Sequence, residues 1–275
     1  MLFTSILVVF MAFIGRGYGE WALVWEDNFE GDSLDEDKWS YETGAEPNWG
    51  NHELQYYTED QEKNVRVENG HLVIQARPEV KGKSQFTSGR LDTTESWTRG
   101  RFVISAKLPK GKHLWPAIWM MPKEDTYGDW PASGEIDIME LRGQHPDTVE
   151  ATAHYGGAFP NNIFSGSPET KFSDFSTAFH EFALEWDENE LRWYVDGKQY
   201  FKTNVHKDLW SHKGKDPYTK IGQPFDKPFY LILNVAVGGD FFPVDEYGPQ
   251  VTPAEAKQWS KPTMEVDFVK VYQQK

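Results

Sequence analysis

The 275-residue sequence predicts an all-β fold, a sandwich of two antiparallel sheets, and three observations carry that expectation. From Trp25 onward, short alternating or apolar runs are punctuated by Gly, Pro, Asn and Asp, the pattern of strands and turns. A sustained helical period is almost absent. Asp196-Gly197 stands between two alternating runs, and this dipeptide tolerates the positive φ that a two-residue hairpin turn requires. With no cysteine in the chain, disulfides, thiolate chemistry and Cys-based zinc sites are excluded.

Taken in order, residues 1–19 read as a secretory signal, an apolar run from Leu2 to Ile14 followed by small residues at Gly17 and Gly19. The run is short for a membrane span. The remaining stretch, 20–275, carries no Pro/Ser-rich linker, charge run or repeat, which predicts a single domain. Strands are expected at 64–66, 71–77, 101–108, 115–121, 135–141, 148–155, 180–186, 191–195, 198–203, 229–237 and 265–272. The segment 160–168, with Asn161, Asn162 and Gly166, reads as a long loop. One short helix is expected at 253–259, opened by Thr252 as N-cap with Pro253 at its first position. Roughly 255 residues after the leader can bury a core without covalent staples.

Composition narrows the partner. A formal charge of −15 repels nucleic acid and anionic membranes and suits a neutral ligand. Aromatics make up 15% of residues, more than a core alone needs, and an aromatic face accepts the C–H face of a sugar. No Asn-x-Ser/Thr sequon is present.

The chemistry concentrates in Ser133-Gly134-Glu135-Ile136-Asp137-Ile138-Met139-Glu140-Leu141. Along a strand, alternate side chains share a face, so Ile136 and Ile138 enter a core while Glu135 and Asp137 face outward. Glu140 then has the wrong parity. A one-residue bulge around Met139 restores it and puts three carboxylates along one groove. The glutamate Cα atoms would lie roughly 13 Å apart. Side chains leaning inward would leave carboxyls about 5 Å apart, the separation of a retaining glycosidase. A solvated edge strand and a hard-cation site are the alternatives for such a cluster.

That stretch resembles the signature of glycoside hydrolase family 16, in the E-x-D-x-x-E form of endo-β-1,3-glucanases (laminarinases). The likeness extends to Trp49-Gly50-Asn51-His52-Glu53-Leu54-Gln55-Tyr56-Tyr57, Thr87-Ser88-Gly89-Arg90, Leu114-Trp115-Pro116-Ala117-Ile118-Trp119, His154-Tyr155-Gly156-Gly157 and Leu231-Ile232-Leu233-Asn234-Val235-Ala236-Val237-Gly238-Gly239. It implies a concanavalin A-like β-jelly roll whose concave sheet forms a substrate groove. It also implies an enzyme that hydrolyses internal β-1,3 bonds of laminarin-like glucans without a catalytic cofactor, and with the leader at 1–19 the expectation is a secreted monomer. By the same resemblance Glu135 is the nucleophile, Glu140 the general acid/base and Asp137 their companion. Trp115 and Trp130 stack on sugar, Asn51 and Arg90 bond its hydroxyls, and His154 sits by the leaving-group sugar. Trp119 is expected to turn into the core, and Glu53 either orients substrate or steadies a loop.

Asp267, in Glu265-Val266-Asp267-Phe268-Val269, matches a position that supplies a carboxylate to a structural calcium on the convex face, with backbone carbonyls of Glu30 and Gly70 as partners. Gln144 departs from the basic residue or Asn more usual in the family, so the resemblance assigns no subsite beyond the signature. A glucan-recognition protein of the same fold and a β-glucan transglycosylase are the other readings, although both glutamates are present.

Overall fold

The computed structural model describes residues 20–205 and 217–275, so the expected leader at 1–19 lies outside the described residues. In chain order the strands are β1 (Trp21–Asp27), β2 (Trp39–Tyr41), β3 (Gln55–Tyr57), β4 (Val65–Glu68), β5 (His71–Gln75), β6 (Phe86–Ser88), β7 (Arg90–Thr93), β8 (Gly100–Lys107) and β9 (Leu114–Pro122). They continue as β10 (Glu135–Glu140), β11 (Thr148–Gly156), β12 (Asn162–Gly166), β13 (Thr170–Lys171), β14 (His180–Trp186), β15 (Glu190–Val195), β16 (Lys198–Asn204), β17 (Phe229–Val237) and β18 (Thr263–Gln274).

Two large antiparallel sheets result. One runs β16-β15-β14-β8-β18-β5-β4 with β1 added on β18. The other, which carries the chemistry, runs β12-β11-β10-β9-β17-β7-β2 with β13 added on β11. A small parallel pair, β3 with β6, completes the strand pairing.

Period-two alternation decides which side chains join the sheets. Leu72 and Ile74 on β5, and Phe102 and Ile104 on β8, point inward from the first sheet and are fully buried. Ile118 and Met120 on β9, Ile136 on β10, and Leu231 and Leu233 on β17 answer from the second. Together they form one continuous apolar cluster. The strands β9 and β17 read as nearly unbroken apolar runs because their second face lies under the groove.

The hairpin forms as expected, with Asp196 at φ 48° and Gly197 at φ 74° between β15 and β16. The segment 160–168 is not a loop throughout. Residues 162–166 make strand β12, paired along β11 from Gly156↔Asn162 to Thr152↔Gly166. Its turn-forming residues sit at the ends of a strand, where they start and stop pairing.

Thr252 caps its helix as predicted, in a capping box with Glu255, but the helix closes after one turn, Pro253–Ala256. Trp259 explains the early end: its indole is drawn inward to bond the carbonyl of Lys112 at 2.8 Å. A second short helix, Val244–Tyr247, was not legible in the sequence. Among the described residues no helix is long and apolar enough to cross a membrane.

Candidate active site

Strand β10 reaches the site through Gly134, whose φ of +94° is a conformation that favours glycine, and whose missing side chain leaves room for the Phe229 ring. The strand then bulges where parity demanded it. Against β9, Asp137 faces Trp119 while Met139 faces Ile118; against β11, Asp137 faces Thr152 while Glu140 faces Glu150. One extra residue is thus absorbed between Asp137 and Glu140. Ile136, Ile138 and Met139 are buried in the core. Glu135, Asp137 and Glu140 therefore line one cleft, together with Trp49, Asn51, Glu53, Arg90, Trp115, Trp119 and Asn234.

The three acids are not equivalent. Asp137 is almost wholly enclosed, with Oδ2 3.2 Å from His154 Nε2. Burial, then the adjacent Glu135 charge and a hydrogen bond shared with Glu135, push its carboxyl well above the usual range. Glu140 is also pushed well above the usual range, chiefly by burial and next by Asp137, with His154 acting in the opposite sense. Such a group holds its proton toward neutral pH, as a general acid must. Glu135 accepts a hydrogen bond from the Trp130 indole, and Glu140 accepts one from Trp115 Nε1 at 3.0 Å.

Ligand atoms of Glu135, Asp137 and His154 all lie within 4.8 Å of one another, a set that could hold a cation. A hard cation would need Asp137 ionised, whereas burial and Glu135 favour its protonated form. The arrangement suits proton sharing better than coordination.

Trp119 corrects an expectation. It shares the cleft face with Trp115 and Ala117, because residues 115, 117 and 119 alternate outward on β9, and its Nε1 bonds Asn234 Oδ1 at 2.7 Å. The Arg90 guanidinium lies over its ring at 4.7 Å and over the Trp49 ring at 4.8 Å. Arg90 also pairs with Glu42, so this one side chain takes part in an ion pair and lines the cleft.

Beneath them runs a hydrogen-bonded floor. Asn234 donates to the Tyr57 hydroxyl at 2.9 Å, Tyr57 donates to Glu53 at 3.3 Å, and Glu53 also accepts from Gln55 at 2.6 Å and Asn51 at 3.3 Å. Burial lifts the Glu53 carboxyl above its ordinary value. Glu53 thus braces the loop that presents Asn51. That loop is strained, with Asn48, Trp49 and His52 at positive φ, and it packs so closely on Gly239 that a β-carbon there would lie 2.8 Å from the Asn51 carbonyl.

Trp115 is stacked on Phe241, ring centroids 4.5 Å apart at 16°. Trp130 is 41% exposed and His154 lies 5.9 Å from it, ring to ring. Every catalytic and sugar-binding residue expected from the sequence thus gathers at this cleft or its rim. Asn234, Tyr57 and Phe241 were missed. A signal existed for Asn234, the single polar side chain in the run Leu231–Val237, whereas nothing local marks Phe241 as the backing of Trp115. Gln144 has a structural task, accepting the His113 N–H at 2.9 Å.

The expected calcium residues lie away from the cleft. Asp267 falls where β18 shifts register, between Val266 and Phe268 against β8, with His71 Nε2 at 3.7 Å and the Ser105 hydroxyl at 3.4 Å. Registers Asp27↔Val269 and Leu72↔Val266 bring the end of β1 and the β4–β5 turn alongside it, the segments that hold Glu30 and Gly70. The Asp267 carboxylate is the kind of oxygen ligand a hard cation takes.

A two-sheet β sandwich with three carboxylates of one bulged strand in an indole-lined cleft defines a carbohydrate-cleaving enzyme. Comparison with known proteins agrees. The model for "Glycosyl hydrolases family 16" matches residues 52–251, and the chain belongs to that family, as a glycoside hydrolase of jelly-roll fold. It is 44% identical to a glucan endo-1,3-beta-glucosidase of Cryptopygus antarcticus, over 94% of this chain and 95% of that one. It is 41% identical to a beta-glucanase of Rhodothermus marinus, over 92% of this chain and 85% of that one. The X-ray structure of the laminarinase from Rhodothermus marinus superposes with a TM-score of 0.80, at 39% identity over 94% of this chain and 99% of that one.

Proposed function

We propose that the chain is a secreted endo-β-1,3-glucanase that cleaves laminarin-like glucans with retention of configuration. The observation that carries this reading is the bulge in β10, which places Glu135, Asp137 and Glu140 on one face while burial keeps a proton on Glu140. In the first step the Glu135 carboxylate attacks the anomeric carbon, the glycosidic C–O bond breaks, and the leaving oxygen takes the Glu140 proton. In the second step Glu140, now a base, removes a proton from water. The hydroxide so formed displaces Glu135 from the sugar, and Glu140 is reprotonated. Trp115 Nε1, bonded to Glu140, steadies the anion that exists between the steps.

The internal cut follows from a cleft with binding groups on either side of the carboxylates: Arg90, Asn51 and Trp49 across β9 and β17, and His154 on the opposite side. A glucan-recognition protein is disfavoured because it needs neither glutamate. A transglycosylase would use the same residues, and product profiles at high acceptor concentration separate the two. We further propose that Asp267, with carbonyls of Glu30 and Gly70, holds a structural calcium, and that residues 1–19 direct export.

Incubation with laminarin, lichenan, agarose and carrageenan, followed by oligosaccharide profiling, tests the substrate. Laminarin should yield a ladder of short β-1,3 oligomers from the earliest times. Cleavage of a galactan but not laminarin would overturn the proposal.

A further inference from the structure

The second sheet ends in an edge strand whose outer face bears an unusual side chain. Phe164 on β12 is 65% exposed. Edge strands ordinarily carry charge or proline against unwanted pairing, and a large exposed ring there calls for a partner.

Its position is set by register. Glu135 lies directly opposite His154, and His154 directly opposite Phe164, so the three form one row across β10, β11 and β12. Residues opposite one another in antiparallel strands project from the same face. His154 faces the cleft, since its Nε2 lies 3.2 Å from Asp137, and the Phe164 ring lies 6.1 Å from the His154 ring. Phe164 therefore looks out on the same side as the catalytic acids, two strand spacings or roughly 10 Å from Glu135 along the row. Arg90 lies three strands from β10 in the other direction, on β7.

We propose that Phe164 is a stacking platform for a sugar ring beyond the His154 position, which extends the substrate groove to the edge of the sheet. The inference rests on the glucanase reading above. A chain crossing the strands from Arg90 through Glu135 passes over His154 and then meets a flat apolar face, which suits the C–H side of a pyranose. The platform would act on long substrates and be silent on those that carry no sugar so far from the cut.

The test measures KM and kcat for Phe164→Ala, Phe164→Leu and Phe164→Tyr on laminarin, on laminari-oligosaccharides of increasing length, and on an aryl laminaribioside whose leaving group is not a sugar. Alanine and leucine should raise KM on laminarin and long oligomers roughly threefold to tenfold, the range of an aromatic contact. Tyrosine should restore it, because the flat face is what matters. All variants should match the wild type on the aryl substrate. Unchanged KM at every length, or an equal loss on the aryl substrate, would overturn the platform. If the wild type cleaves laminarin and the variants follow it throughout, only this inference fails. If the wild type cleaves no β-glucan, the functional reading fails and takes the platform with it.

Discussion

At the scale of single residues, the site separates two carboxylates that share a strand by giving them different surroundings. Glu135 is tied to an exposed indole, Trp130, whereas Glu140 accepts from the Trp115 indole and has the Asp137 carboxyl acting on it. Glu135→Ser should abolish laminarin hydrolysis while leaving oligosaccharide binding measurable by calorimetry, since stacking and hydrogen bonding do not require the nucleophile. Residual turnover near the wild-type rate would contradict that role. Glu140→Ala should lose on the order of a hundredfold or more in kcat on laminarin, yet less in the first step on an aryl glycoside whose leaving group needs no proton. Equal first-step losses on the two substrates would remove Glu140 from the acid role. The raised carboxyl of Glu140 also sets a direction for pH: activity should fall on the alkaline side, as rising pH strips the proton it must donate. These roles were legible because residue type and spacing, E-x-D-x-x-E, encode them. The hydrogen-bonded floor from Asn234 to Glu53 was not, because its members are brought together by folding from positions 234, 57 and 53.

At the scale of elements, strand β10 does two jobs that strict alternation would forbid. It buries Ile136, Ile138 and Met139 and still presents three acids to one side, and the extra residue between Asp137 and Glu140 reconciles them. Counting parity along the sequence was enough to require that bulge. Parity should have placed Trp119 as well, two and four steps from Ala117 and Trp115, but the expectation followed the resemblance and put it in the core. The error at 160–168 has a similar origin: Asn, Gly and Pro mark where strand β12 begins and ends, and a five-residue strand between them leaves little alternation to read. Entry to β10 depends on Gly134. Gly134→Ala would put a β-carbon 2.9 Å from the Phe229 ring and impose φ of +94° on a residue that avoids it. The expected cost is roughly 1–3 kcal/mol in urea unfolding, with kcat falling as Glu135 is displaced. Wild-type stability and turnover in that variant would show that the entry is not constrained.

At the scale of the whole molecule, stability and catalysis respond to pH through different groups. Burial first, and the neighbouring Glu42 charge second, raise the Asp92 carboxyl on β7 to about 7. An unfolded aspartyl group ionises near pH 4, so between about 4 and 7 the unfolded chain releases its proton first and stability falls as pH rises. Below that window Asp92 is neutral in both states and contributes nothing. Asp92→Asn should therefore raise the melting temperature at pH 8, by a gain on the order of 2 kcal/mol after allowance for solvent screening, and leave it unchanged at pH 4. A chelator should lower the melting temperature of the wild type but not of Asp267→Ala if the proposed calcium is held; equal behaviour of the two would discard that site. The sandwich itself was predictable from short alternating runs, turn residues and the lack of a helical period, because those are local properties of the chain, while the order of strands in each sheet was not. The central claim is that Glu135 and Glu140 act on one sugar from opposite sides with an intermediate between them. Early-time proton NMR of laminarin hydrolysis reads it most directly. The β anomer should accumulate first and mutarotate later, whereas an α anomer at the earliest times would contradict the account.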